Sequence, residues 1–521
     1  MKRIRRALIS VWDKKDLVPF ALGLRELGIQ IISTGGTATL LKKQGIPVRE
    51  VADFTGFPEI LAGRVKTLHP KVHGGILARR GDRKQLAQAR RLGLELIDLV
   101  VVNLYPFEET ARRGNLSREK LLDEIDIGGV ALIRSAAKNF ESVGVISSPA
   151  QYGKVLQELR ENRGSLSEAT RLRLAVEAFT QTAYYDAVIH QTLACRGRLK
   201  QDWPGQLVFA VAKRQALRYG ENPHQQAAWY QWPSLGPAQS GLRTARQLHG
   251  KELSFNNILD LDSVLQIVSS FGKPTVAIVK HNNPCGVACG GSLLEAFRGA
   301  FACDPLSAFG GIVGLNRLVD RKTAQAVVRA GFLECLIAPG YEKEALQVLK
   351  RKKNLRILQA QLSKKSSDCS CREAKQVDGG FLIQEQDRLA RSPSQWRVVT
   401  KNKPTASHRR DLNFAWTVAK LVRSNAIVVA KAEKTVGIGA GQTSRVDSVA
   451  IALKKAGTRA RGAVLASDGF FPKPDGPQRA VKAGIRAIVQ PGGSIRDPQV
   501  IQVAQRSGVS MLLTGERHFR H

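Results

Sequence analysis

The chain has 521 residues, 43% of them hydrophobic and 6% aromatic. That length is too great for one compact core and points to two to four globular domains, and so few aromatic residues exclude a long base-stacking platform. The formal net charge is +36, with Lys and Arg scattered through every predicted element, so anionic partners are implied and nucleic acid is not expected as the primary one.

The start, M-K-R-I-R-R-A-L-I-S-V-W-D-K-K, opens like a leader, but its apolar run ends at Asp13 and Lys14. No segment approaches the roughly 20 apolar residues of a membrane helix, and a cytoplasmic, membrane-free protein is expected. Residues 7–11 read as a strand, and Leu17, Phe20, Ala21, Leu24 and Leu27 form a helical stripe. A second strand, 29–32, ends in Ser33-Thr34-Gly35-Gly36-Thr37 ahead of another helix. Residues 99–102 and 143–146 are further buried strands, giving an α/β fold with a largely parallel sheet. Ser165 and Glu168 form a capping box that opens a long helix to about His190. The Gly-, Pro- and charge-rich stretch 196–205 reads as a linker.

From about Leu207 strands and helices mix again. The run 277–280, a glycine turn, a helix near 293–301, Asp304 and Phe309 recurs in outline as 426–430, a turn at Gly437–Gly441, a helix near 449–455, Asp468 and Phe470. A diverged duplication is expected. The segment K-K-S-S-D-C-S-C-R-E within 363–376 reads as a surface insertion. Its Cys369 and Cys371 lack the second pair a zinc clip needs. The seven cysteines, odd in number and without framework spacing, indicate reduced thiols in a cytosol.

Three clusters in the first part carry chemistry: the turn 33–37; G-R-V-K-T-L-H-P at 63–70; and N-L-Y-P-F, D-I-G-G and S-A-A-K-N at 103–107, 126–129 and 135–139. They supply phosphate donors, a phenol, a carboxylate and ammonium groups, with neither a cysteine nucleophile nor a serine triad. That inventory suits proton transfer and oxyanion stabilisation on a phosphorylated substrate. In the second part, T-V-A-I-V-K-H-N-N-P-C-G at 275–286 places Lys280 and His281 at a strand end, a rigid base from which to reach into a cleft.

These clusters, in this order, resemble the bifunctional purine-biosynthesis family that joins an IMP cyclohydrolase to an AICAR transformylase. The likeness continues through L-R-Y-G-E-N-P-H-Q at 217–225, G-K-E-L-S-F-N-N-I-L-D-L-D at 250–262 and D-P-L-S-A-F-G-G at 304–311. R-S-N-A-I-V at 423–428, G-I-G-A-G-Q, S-D-G-F-F-P, Q-P-G-G-S-I-R-D and the terminal R-H-F-R-H complete it. The resemblance implies a methylglyoxal-synthase-like parallel-sheet domain over 1–196, a linker over 197–206, and a transformylase region over 207–521 built from two cytidine-deaminase-like α/β units. It implies formyl transfer from 10-formyltetrahydrofolate to AICAR, then closure of FAICAR to IMP with loss of water, and a homodimer. No catalytic metal is implied, and a monovalent cation is allowed.

Carried onto this sequence, Lys280 and His281 match the transformylase catalytic pair. His281 suits a base for the weakly nucleophilic amine, and Lys280 would stabilise the formyl oxygen or help protonate the departing folate nitrogen. Arg218, Tyr219, Phe309, Gly310, Asn425, Phe470, Asp475, Arg517 and His521 match substrate-binding positions. Lys66, Tyr105, Asp126 and Lys138 match the cyclohydrolase acid–base and orienting set, with the proton order of Lys66 and Tyr105 left open. Ser10, Lys14, Ser33, Thr34, Gly35, Gly36, Thr37, Arg64, Thr67, Asn103 and Gly128 match its nucleotide surface. Cys285 and Cys289 nearly spell a deaminase zinc half-motif, but their spacing is Cys-x3-Cys and no His-x-Glu accompanies them. Lys473 stands where the family pattern has an aromatic residue near the folate. A nucleic-acid-binding protein, and a scaffold that has lost one activity, are the competing readings.

Overall fold

A computed structural model describes residues 3–113, 116–196, 203–233, 240–362, 372–389 and 391–521. Cys369, Cys371 and most of the expected linker and insertion lie outside these residues. The chain divides into two compact units, Met1–Ala212 with Trp232–Pro237, and Lys213–Gln231 with Ala238–His521.

In the first unit, β1 (Arg6–Val11), β2 (Gln30–Ser33), β3 (Arg49–Glu50), β4 (Leu99–Asn103) and β5 (Gly144–Ile146) form a parallel sheet in the order β3-β2-β1-β4-β5. Central strands such as Leu-Val-Val-Val-Asn are buried at every position, as expected where helices cover both faces. The strand order reverses at β1, so a crevice opens beyond the carboxyl ends of β1 and β4, where ligands bind in open α/β sheets. Four of these strands lie where the apolar runs predict them. The long helix differs: it spans Glu168–Arg196, and Ser167 rather than Ser165 caps it, its Oγ accepting from Thr170 N at 3.2 Å. Ser165 is buried and bridges to Arg3, so it is held by the sheet side and cannot act as the cap.

The second unit opens with a ribbon, β6 (Ala212–Leu217) and β7 (Ala227–Gln231). Then come β8 (Arg246–His249), β9 (Thr275–Lys280), β10 (Asn283–Cys289), β11 (Ile312–Leu315), β12 (Cys335–Ala338) and β13 (Arg356–Gln359). A second ribbon, β14 (Arg372–Val377) with β15 (Gly380–Glu385), precedes β16 (Arg397–Val398), β17 (Ile427–Lys431), β18 (Lys434–Gly439), β19 (Val464–Ser467), β20 (Ala487–Gln490) and β21 (Ser510–Leu513). Twelve of these strands make one sheet, in the order β16-β21-β20-β19-β17-β18-β10-β9-β11-β12-β13-β8.

Read outward from its centre, this sheet is the same six-strand layout twice, joined by antiparallel pairing of β10 with β18 at Ala288 and Lys434. A single constant offset relates the helix caps Ser254 and Thr405, the helix residues Asp260 and Asp411, the turn residues His281-Asn282 and Ala432-Glu433, and Gly286 and Gly437. The duplication is therefore real, but its expected details need correction. Asp304 precedes β11 whereas Asp468 follows β19, so these two aspartates are not counterparts. Gly437 and Gly439 lie inside β18 rather than in a turn. A Cβ on Gly437 would collide with Ala452 O of the helix Arg445–Ala456, and one on Gly286 with Ala300 O of the helix Leu293–Cys303. Glycine is there because each helix backbone lies directly on its strand.

Gly437→Ala should therefore lower stability by about 1–3 kcal/mol, the usual cost of forcing atoms into a packed interior. Urea unfolding should show a lower midpoint with an unchanged slope.

Candidate active sites

In the first unit the ends of β1, β2 and β4 converge. The Asn103 side chain clamps the loop after β1: its Oδ1 accepts from Trp12 N at 2.7 Å and Asp13 N at 2.9 Å, and its Nδ2 donates to Asp13 O at 2.9 Å. That holds Ser10 and Lys14 beside the β2 turn. Ser33 Oγ donates to Ile9 O at 2.7 Å, and Thr37 Oγ1 donates to Val11 O at 3.0 Å, locking the turn to β1. Gly35 and Gly36 open the helix Gly35–Lys43, whose N-cap Thr34 makes no side-chain cap bond. Instead Thr34 Oγ1 donates to the Glu59 carboxylate, whose other oxygen lies 3.5 Å from Lys66 Nζ. The helix start thus keeps free backbone N–H groups, a favourable place for a phosphate, with the Lys66 ammonium alongside.

Asp126 is mostly buried. Its Oδ1 accepts from Gly129 N at 2.7 Å, and the Tyr105 N–H also points to this carboxyl. Burial outweighs these bonds and raises its pKa above the ordinary value of 3.8. Gly128 packs against the Thr67 hydroxyl, where a Cβ would come within 3.1 Å. Arg64 pairs with Asp123 at the rim. Lys138 ends the 11-residue helix Gly128–Lys138 and is exposed. A cavity of about 470 Å³ opens beside Asp126, lined also by His73, Arg134, Ser135 and Asp186. There His73 Nδ1 lies 3.0 Å from Ser135 Oγ, and burial lowers the His73 pKa.

In the second unit the hairpin β9–β10 turns through His281 and Asn282, both left-handed at φ 53° and 59°. Lys280 Nζ donates to Phe309 O at 2.9 Å, beside Gly310. Asn283 Oδ1 accepts from Arg423 N at 3.0 Å, which brings the neighbouring segment 423–425 to the tip. Asn425 Nδ2 donates to Gln442 O at 2.8 Å, and its Oδ1 accepts from Arg445 at 2.6 Å. Arg445 in turn pairs with fully buried Asp468, which also accepts from Ser424 Oγ at 2.5 Å.

The terminal segment is not frayed. His518 N donates to Asp468 O at 3.0 Å, and Ser424 N donates to Arg520 O at 2.9 Å. The Arg517 guanidinium lies 4.6 Å from the Phe519 ring centre, and His521 O accepts from Lys375 Nζ at 2.9 Å. Asp475 opens the helix Asp475–Lys482, and Phe470 is partly exposed before it. Arg218 is exposed and Tyr219 half-buried, the two bonded to one another at 3.0 Å, and no described contact joins them to Lys280. Cys285 and Cys289 are buried in β10 as free thiols. Among the described residues, no group of three or more His, Cys, Asp or Glu is placed to hold a metal.

The description AICARFT/IMPCHase bienzyme matches residues 136–455, and MGS-like domain matches residues 16–131. Bifunctional purine biosynthesis protein PurH of Bacillus cereus (strain AH820) is 49% identical over 517 residues, covering 99% of this chain and 100% of the relative. The protein of that name from Bacillus anthracis (strain A0248) matches to the same extent. The crystal structure of ForH is 38% identical over 36% of this chain and 95% of its own, with a TM-score of 0.34. The chain belongs to the AICARFT/IMPCHase bienzyme family. Its parallel-sheet unit contains the MGS-like domain. Among the described residues, no helix is long and apolar enough to cross a membrane.

Three residues of this bienzyme are not singled out by the motif reading: Glu59, His73 and, inside the motif 250–262, Asp260. Glu59 sits in an unpatterned loop, and its link to Thr34 and Lys66 exists only in the fold. His73 lies three residues beyond the motif 63–70, whose own histidine, His69, is a helix cap that accepts from Lys71 N at 3.1 Å. Asp260 could have been found by matching it to Asp411 across the repeat.

The raised pKa of Asp126 makes a stability prediction. A carboxyl that binds its proton more tightly folded than unfolded loses stability as pH rises, from near 3.8 until the folded group has ionised. Asp126→Asn should therefore raise the thermal midpoint at pH 7, and the gain should vanish below about pH 4.

Proposed function

We propose that the second unit transfers a formyl group from 10-formyltetrahydrofolate to the 5-amino group of AICAR, giving FAICAR and tetrahydrofolate. The first unit then closes FAICAR to IMP. The observation that carries this reading is the hairpin tip, where Lys280 is fixed on the Phe309 carbonyl and His281 stands exposed beside it.

In the transfer, the amine nitrogen attacks the formyl carbon while His281 takes its proton. Negative charge develops on the formyl oxygen, and the Lys280 ammonium, with donors to spare beyond Phe309, stabilises it. Such a donor is worth on the order of 3 kcal/mol of barrier. The carbon–nitrogen bond to the folate then breaks, and that nitrogen leaves with a proton from His281 or Lys280. Asn425 orients the nucleotide, with Phe309, Gly310, Phe470, Asp475, Arg517 and His521 around it. Arg218, exposed, and Tyr219, half-buried, follow the strand Ala212–Leu217 and are bonded to one another. This supports a homodimer in which they complete the site of a second copy. The two matching halves of the sheet are read as cytidine-deaminase-like units.

In the closure, the carboxamide nitrogen loses a proton and attacks the formyl carbon, and the formyl oxygen departs as water. Lys66, Tyr105 and Asp126 share these proton transfers. Asp126 suits the acid role because burial favours its protonated form. The open start of the helix Gly35–Lys43, with Ser10, Lys14, Arg64 and Thr67, takes the phosphate. Lys138 completes the acid–base and orienting set.

The test supplies AICAR and 10-formyltetrahydrofolate to wild type and His281→Ala and follows tetrahydrofolate and IMP separately. Wild type should form both. His281→Ala should form tetrahydrofolate about 100-fold to 10,000-fold more slowly yet close added FAICAR at the wild-type rate. Wild type that forms neither product would refute the proposal.

A further inference from the structure

The two hairpin tips of the duplicated sheet share a device that the reaction uses at only one of them. Turns of two left-handed residues normally take glycine or asparagine, because a side chain there is crowded. Here neither tip contains glycine. His281-Asn282 lies at φ 53° and 59°, and Ala432-Glu433 at 53° and 53°.

Each tip is instead held by a carboxylate from the preceding helix. Asp260 accepts from His281 N at 3.2 Å and from Asn282 N at 2.6 Å. Asp411 accepts from Ala432 N at 3.0 Å and from Glu433 N at 2.8 Å. Both carboxylates occupy the same place in helices capped by Ser254 and Thr405. A carboxyl group accepts through both of its oxygens, so one aspartate can hold two successive amides of a left-handed turn that contains no glycine.

We infer that Asp260 is a positioning residue for formyl transfer: it holds the His281-Asn282 turn in its left-handed form and so sets where the His281 imidazole stands. The inference rests on the proposed role of His281. Asp411 holds the same kind of turn, but that turn carries alanine and glutamate. The molecule therefore contains its own control, an equal structural contact with no catalytic side chain attached.

The experiment compares Asp260→Asn, Asp411→Asn and Asp260→Asn with Asn282→Gly. It reads thermal midpoint, kcat and KM for AICAR in tetrahydrofolate formation, closure of added FAICAR, and amide hydrogen exchange at residues 281 and 282. Asp260→Asn should lower kcat for formyl transfer by about 10-fold to 100-fold, with KM little changed and FAICAR closure intact. Exchange at 281 and 282 should quicken. Asp411→Asn should lose a similar amount of thermal stability yet keep formyl transfer. Adding Asn282→Gly, which suits the turn without the carboxylate, should recover part of the lost kcat.

Equal losses of formyl transfer in the two aspartate variants, or no loss in either, would overturn the inference. So would a folded double variant that recovers nothing, since the carboxylate would then act on the chemistry rather than on the turn. Wild type that forms no tetrahydrofolate would instead remove the role of His281, while the exchange rates would still report whether Asp260 holds the turn.

Discussion

β10 and β18 run antiparallel, with Ala288 opposite Lys434, and through this one pairing two six-stranded halves become a single sheet. Because the partners run in opposite directions, the two hairpin tips point to opposite ends of the sheet centre. The β9–β10 tip meets segment 423–425 of the other half, where Asn283 accepts from Arg423 N. The β17–β18 tip meets the far end of β10, where Glu433 O accepts from Cys289 N at 2.9 Å. The proposed transformylase site is thus composite. Lys280 and His281 come from the first copy, and Asn425 comes from the second. The pairing therefore shapes the core and also sets which segments of the two halves meet at each tip.

The two sites manage buried charge differently. Arg445 and Asp468 are 7% and 0% exposed, and such a pair repays its desolvation only when the remaining hydrogen bonds are made. They are made: Ser424, Ser467 and Asn425 complete the network. Asp126 has no cation bonded to it among its described contacts, and burial raises its pKa above the ordinary carboxyl value. One arrangement fixes a scaffold, and the other favours proton uptake. The excess of positive charge across the chain suits anionic substrates in both units, since a nucleotide phosphate and folate carboxylates would be drawn toward it.

The strands of the parallel sheet were legible because burial on both faces writes each as an unbroken apolar run. The glycine-hydroxyl turn 33–37 and the Lys280-His281 strand end were legible because their residue types are unusual at strand ends. Capping of the long helix was not. In sequence Ser165 has a capping-box partner in Glu168 and Ser167 has none, yet Ser167 accepts from Thr170 N while Ser165 bridges to Arg3. The duplication was visible, but aligned on the wrong landmarks. Asp304 and Asp468 attract the eye as charged residues, whereas the true register is carried by glycines pressed against helices and by two capped aspartates. Glu59 shows the same limit: its link to Thr34 and Lys66 joins residues distant in sequence and was invisible before the fold.

The buried thiols of the sheet bear on another kind of chemistry. Cys285 lies four residues beyond His281, yet burial pushes its pKa up to about 12, and Cys289 and Cys303 up to about 11. Burial also raises Cys335 well above the ordinary thiol range. Oxidants and alkylating agents attack the thiolate, and at neutral pH these four positions present almost none. The strand that follows the proposed base therefore keeps its two thiols buried and protonated, beside a histidine that stands exposed.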